Sequence, residues 1–244
     1  TDDCENMIPE YLSFIRGIVD SNDLPLNISR ETLQRSKVVQ IIKKQITKKA
    51  IEMMKELSKN KEKYVEFYKE YYRCIKLGVY EDDTNRLKLA DLLRFTSTKK
   101  EFTSFKEYKN EMRSGQEKIY YIAGENINSL RESPFIESLV KEDYEVLFMT
   151  DVIDEYAMQQ LDEYQGVKIK NAATIKNEQD ETVDKETEKL CKKLKSILGD
   201  RVEKVIPSER MEESPCVLVS NENGMTANME RIIKAQALSS SSLK

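Results

Sequence analysis

Histidine is absent from the 244 residues. Its absence removes Ser–His and Cys–His nucleophile pairs, histidine general bases and most histidine-bound zinc or iron sites. Glycine is scarce, with 7 residues, and neither GxGxxG nor GxxxxGKS/T occurs, so no glycine fingerprint supports a nucleotide pocket. The 4 cysteines, Cys4, Cys74, Cys191 and Cys216, are scattered without a CxxC pair. That spacing argues against a disulfide framework or a zinc site and for a reducing compartment, the cytoplasm. No apolar run approaches the roughly 20 residues of a membrane-spanning helix. A net charge of −4 gives no overall attraction to nucleic acid or anionic lipid. Nucleic acid and membrane are therefore not expected as partners.

What is present is enough to fold. Apolar residues make up 39% and charged residues 34%, which suits one large domain or two modest ones with real cores. With 44 acids, close carboxylate pairs arise by chance, and none sits in a constrained setting. No autonomous active site is expected, and no metal site is assigned. The chain begins at Thr1 instead of Met and reads as cut or processed, so the lack of a signal peptide carries little weight.

An apolar run at residues 11–19 reads as a strand, and residues 30–63 read as one long helix with an apolar stripe of Val39, Ile42, Ile46, Met53 and Leu57. Its lysine-rich faces are either a solvated surface or an attraction for acidic partners. Tyr64, Phe67, Tyr68, Tyr71 and Tyr72 form an aromatic ridge on a second helix ending near Gly78, suited to packing or to gripping a partner. A third helix spans 87–95, and short helical turns are expected within the polar stretch 96–115. Strands at 118–123, 144–149 and 167–170 then alternate with helices at 133 onward and 151–164, a βαβαβ pattern that implies a small parallel sheet. Thr150, Asp151, Asp154 and Glu155 lie beyond a strand end, where they could hold a metal, but the same spacing is a helix N-terminus with its cap. Residues 176–186 are polar and acidic and suit a joint between domains. Beyond them a helix at 187–198 ends at Gly199, strands fall at 202–207 and 216–220, and a helix spans 226–238. The expected class is α/β, with long helices linking small α/β/α layered units, followed by the start of a second mixed α/β domain.

Residues 17–34 carry the functional signal. Pro25 biases Leu24 to extended geometry, and Asn27 or Ser29 can cap a helix starting near Arg30. Asn27-Ile28-Ser29 is also a glycosylation sequon, but the cap role is favoured. Glu31 suits the positive helix end, whereas Arg30 does not. A guanidinium among unpaired N–H donors matches an anion better than water, and Gln34 shares its face one turn on. By position alone, an arginine in a first helical turn is usually a solvated side chain.

The wording Asp-Leu-Pro-Leu-Asn-x-Ser-Arg-Glu-x-Leu-Gln at residues 23–34 resembles the heat shock protein 90 chaperone family. So do Ile75-Lys76-Leu77-Gly78-Val79, Asn85-Arg86 with Leu92-Leu93-Arg94-Phe95, Lys118-Ile119-Tyr120-Tyr121-Ile122, Ser133-Pro134-Phe135, Tyr144-Glu145-Val146-Leu147-Phe148, Ile153-Asp154-Glu155-Tyr156 and Asn228-Met229-Glu230-Arg231. They stand in family order. The resemblance covers residues 1 to about 238 and implies an internal fragment. Residues 1–176 would be the later middle domain (1–63 a catalytic-loop strand and long helix, 64–115 a helical linker, 116–176 a small α/β/α unit). Residues 182–244 would begin the C-terminal domain, without its dimerisation helices.

By that resemblance, Arg30 and Gln34 lie on the catalytic loop and reach ATP, with its Mg, held by an absent N-terminal domain. Arg30 would meet the γ-phosphate, while Asn27 and Ser29 support the loop. The full-length protein would be a homodimeric ATPase with client proteins and co-chaperones as partners. The fragment would be inactive, without bound cofactor, and a monomer or weak dimer. Met225 stands where the family usually has tryptophan, and the serine-rich end departs from the family near Ser239. The alternative is a non-catalytic helical protein-interaction scaffold using residues 64–72 and 226–238. A third reading is an enzyme using Asp151 and Asp154.

Overall fold

The computed structural model describes residues 7–20, 37–174, 185–208, 214–219 and 226–241. A 3-10 turn at Glu10–Leu12 precedes α1 (Lys37–Leu57), α2 (Lys61–Glu81) and α3 (Arg86–Ala90), then β1 (Thr96–Ser97), α4 (Phe105–Asn110) and β2 (Lys118–Ala123). Next come α5 (Ile127–Arg131), a 3-10 turn at Pro134–Ile136, α6 (Glu137–Lys141), β3 (Val146–Met149), α7 (Val152–Gln160), β4 (Glu163–Tyr164) and β5 (Val167–Asn171). The helices α8 (Lys185–Leu198) and α9 (Ala227–Ser241) follow. The α/β class holds.

The strands form a five-stranded sheet in the order β1-β3-β2-β5-β4. β2 and β3 are parallel, Tyr120 lying opposite Val146 and Ala123 opposite Met149, as the βαβ pattern implies. The sheet is nonetheless mixed. β1 runs antiparallel to β3, and β4 runs antiparallel to β5 through a two-residue turn. Gln165 and Gly166 both have positive φ there, 48° and 83°, the backbone a tight hairpin needs. This turn explains why the expected helix at 151–164 stops at Gln160 and gives way to a strand.

The chain divides into two compact units. The first comprises residues 1–95, 101–111 and 151–168; the second comprises 96–100, 112–150 and 169–244. In the first, α2 is the central element, with Tyr64, Tyr68, Ile75 and Val79 buried. The hydroxyls of Tyr64 and Tyr68 donate to the Leu92 and Arg94 carbonyls at 2.6 and 2.9 Å. Phe95 and Phe105 add a second aromatic layer, with ring centroids 4.9 Å apart. In the second unit, Ile122, Leu130, Ile136, Val146, Phe148 and Ala172 form the core. β3 is buried at every position, which is why it reads as a continuous apolar run and not an alternating one.

Further local expectations change, and the third helix, expected over 87–95, ends at Ala90. Asn60 leaves helical geometry and its side chain accepts from the Lys63 N–H at 3.1 Å, capping the second helix from Lys61 and not Tyr64, so the helix expected over 30–63 ends at Leu57. The start of that helix, at 30–36, lies outside the described residues. No strand forms at 11–19: Tyr11 and Leu12 are both buried as neighbours, which a turn allows and an alternating strand does not. Thr96–Ser97 is a strand where only polar turns are expected. Among the described residues of 202–208 and 214–219 there is no strand; Ile206 and Leu218 are exposed, and Lys195 takes the Val202 carbonyl at 2.6 Å. The joint expected at 176–186 lies outside the described residues but for its last two.

Candidate functional site

Asn27, Ser29, Arg30 and Gln34 all lie outside the described residues, as does Met225. The structure describes the two flanks of the segment that carries the four. On the C-terminal side, α1 begins at Lys37 and buries Val39, Thr47, Ala50, Ile51 and Met54 along one face, the period of an amphipathic helix. On the N-terminal side the chain is fastened to α2. Tyr11 is 2% exposed, and its hydroxyl donates to the Asp82 carboxylate at 2.5 Å. The same carboxylate accepts from the Asn85 N–H and the Asn85 side-chain amide, both at 2.9 Å.

Burial alone would raise the Asp82 pKa, but hydrogen bonds from Tyr11, Asn85 and the Thr84 backbone outweigh it and hold the carboxyl below its ordinary value. Burial, and then the carboxylate itself, push the Tyr11 hydroxyl well above the usual tyrosine range. The Tyr11 ring rests on Gly78, where a Cβ would stand 2.6 Å from it. Three residues further on, Phe14 stacks on Tyr71 at 4.3 Å and tilts against Phe67 at 6.0 Å. Beyond Phe14 the chain becomes exposed, Ile18 at 98%.

The carboxylates weighed as a metal site serve the fold instead. The Asp154 carboxylate accepts from the Asp151 backbone N–H at 3.1 Å, capping α7, and takes the Lys76 ammonium at 2.7 Å. Asp151 is 3.8 Å from the same ammonium and 3.3 Å from Arg73. Lys76 and Asp154 are both buried, so burial raises the Asp154 pKa and the ammonium offsets part of that rise. A buried lysine was missed from sequence, although it stands four residues after Tyr72 and its ammonium lies 4.9 Å over the Tyr72 ring. That spacing on an aromatic ridge was the available signal.

The ridge is largely packing. Tyr64 and Tyr68 are buried, and the Arg94 guanidinium lies 4.7 Å over the Tyr64 ring. In the second unit, Arg231, within the Asn-Met-Glu-Arg motif, pairs with Glu125 and with the Asn228 side chain at 2.8 Å. Cys74, Cys191 and Cys216 are free. Among the described residues no helix is long and apolar enough to cross a membrane.

The family model described as "Hsp90 protein" matches residues 1–244. The chain is similar to "Heat shock protein 83" of Leishmania donovani, with 45% identity over 256 aligned positions. The alignment covers 99% of this chain and 56% of that relative, so the chain spans about half the length of the relative it matches.

Proposed function

Since the chain belongs to the heat shock protein 90 family, we propose that it is a segment of an ATP-dependent molecular chaperone and supplies Arg30 and Gln34 to ATP bound by another domain. The family match over every residue, with the residue 23–34 wording inside it, carries this reading. A guanidinium and a neutral amide both carry donors suited to phosphate oxygens. In this reading Arg30 meets the terminal phosphate, and the nucleotide itself is held by the other domain. Asn27 and Ser29 would hold the loop through side-chain to backbone hydrogen bonds. ATP supplies the cleavable phosphoanhydride. Arg30 offsets charge on the transferring phosphoryl group, and Gln34 hydrogen-bonds phosphate or orients water. Arginine fingers of the best-studied GTPases are worth about 10³–10⁵ in rate, an upper guide here, because a slow cycle can instead be governed by closure of the site.

Client proteins, co-chaperones, homodimerisation of the full-length protein and a cytoplasmic location belong to the same proposal. So does the division into a middle-domain portion at 1–176 and the start of a C-terminal domain at 182–244. The test is ATP turnover by the full-length protein with Arg30→Ala, with nucleotide affinity measured alongside. Turnover should fall at least tenfold, roughly 1.4 kcal/mol of barrier, while ATP binding is kept. Unchanged turnover would favour the interaction-scaffold reading, in which the helix surfaces at 64–72 and 226–238 bind proteins.

A further inference from the structure

Two of the 5 prolines follow a serine, Ser133-Pro134 and Ser214-Pro215, and the fold uses the two dipeptides differently. Ser133 belongs to a folded turn: its side chain accepts from the Phe135 N–H, and Pro134 opens the 3-10 turn that follows. Ser214 stands at the start of residues 214–219, which carry neither helix nor strand, and a proline biases the residue before it to extended geometry. Pro215 and Cys216 are exposed, while Ser214 is half-buried. The Ser214 hydroxyl donates to the Glu137 carboxylate at 2.6 Å, across 77 positions of sequence. Glu137 is the first residue of α6, and both residues lie in the second unit. The bond fastens the 214–219 segment to α6 through a serine hydroxyl, a group that phosphorylation can convert from donor to acceptor.

We propose that Ser214 is a phosphorylation site for a proline-directed protein kinase, and that its phosphate releases the 214–219 segment from α6. In the transfer, Ser214 Oγ bonds to the γ-phosphorus of ATP, the bond from that phosphorus to the bridging oxygen breaks to leave ADP, and the hydroxyl proton passes to a base of the kinase. The product has lost the donor that Glu137 accepts. In its place stand acceptor oxygens carrying a charge of about −1.5 to −2 at pH 7, set against the Glu137 carboxylate. A phosphate beside a glutamate opens a contact through like-charge repulsion and does not build one.

The experiment treats the full-length protein with ATP and a proline-directed kinase of the mitogen-activated class, locates phosphate by peptide mass spectrometry, and follows amide hydrogen exchange before and after. Phosphate is expected on Ser214. Its rate of addition should fall about tenfold or more in Pro215→Ala, which removes the residue the kinase reads, and should rise about two- to tenfold in Glu137→Ala, which frees the hydroxyl from one hydrogen bond. Exchange should rise at 214–219 and 137–141 in the phosphorylated protein, and further than in Ser214→Ala, which removes the donor without adding charge. No phosphate on Ser214, or phosphate on Ser133 in its place, would overturn the site. Equal rates for the unsubstituted protein and Pro215→Ala would overturn the class of kinase, and exchange unchanged by the phosphate would overturn the release.

Discussion

At the scale of residues, Lys76 and Asp154 form an ion pair inside the first unit, 2.7 Å apart and both buried. Such a pair adds little net stability when whole and costs much when halved, because the survivor is left charged and dry. Lys76→Met should cost about 3–5 kcal/mol in urea unfolding, and Lys76→Met with Asp154→Leu distinctly less. Equal losses for the single and double variants would contradict the pairing. Gly78→Ala tests the Tyr11 socket. With a Cβ forced to 2.6 Å from the Tyr11 ring and 3.0 Å from Leu89, it should destabilise by about 1–3 kcal/mol, whereas Gly17→Ala, with open space around it, should not.

Asp82 sets a pH dependence. Its folded pKa lies below its ordinary value, so the folded state holds this proton less tightly than the unfolded chain. The stability it contributes is present above the unfolded value near 3.9 and is lost as pH falls through the folded value. Acid unfolding of Asp82→Asn should be shallower over that window, and an identical acid limb would contradict the assignment. Asp154, with a raised pKa, acts in the opposite sense.

At the scale of elements, most of the regular structure was legible from periodicity. The aromatic spacing at 64–72 identified α2, the change of period at 118–123 identified β2, and Gly199, with φ of 59°, marks the end of α8. What was not legible depends on partners distant in sequence. A run of apolar residues at 11–19 looks like a strand, but the burial of Tyr11 and Leu12 against α2 decides its conformation, and that contact cannot be read from spacing. Lysine is ordinarily counted as solvated, so the burial of Lys76 shows in the sequence only through its spacing from Tyr72 on the aromatic ridge. The sequence pattern sets the boundary between α1 and α2 at 63/64, a few residues late, because charged residues surround it on both sides, although Asn60 is a readable cap. Asn60→Ala should cost about 1 kcal/mol, measurable as a lowered urea midpoint, and no change would mean that the cap bond contributes nothing.

At the scale of the whole molecule, the α/β class and the parallel β2–β3 pair followed from the order of elements, while the antiparallel edges did not. β1 and β4 have two residues each, too few to show a period. The candidate site was legible only as wording and as one misplaced charge, and its four residues fall outside the described structure. The structure adds the fastening of one flank to α2. The central claim is that Arg30 meets the terminal phosphate of ATP bound by another part of the full-length protein. Its most direct measurement is a structure of that protein closed on a non-hydrolysable ATP analogue. A guanidinium nitrogen of Arg30 within about 2.7–3.2 Å of a terminal phosphate oxygen is the predicted result, and a solvated Arg30 with the phosphate served by other side chains would contradict it.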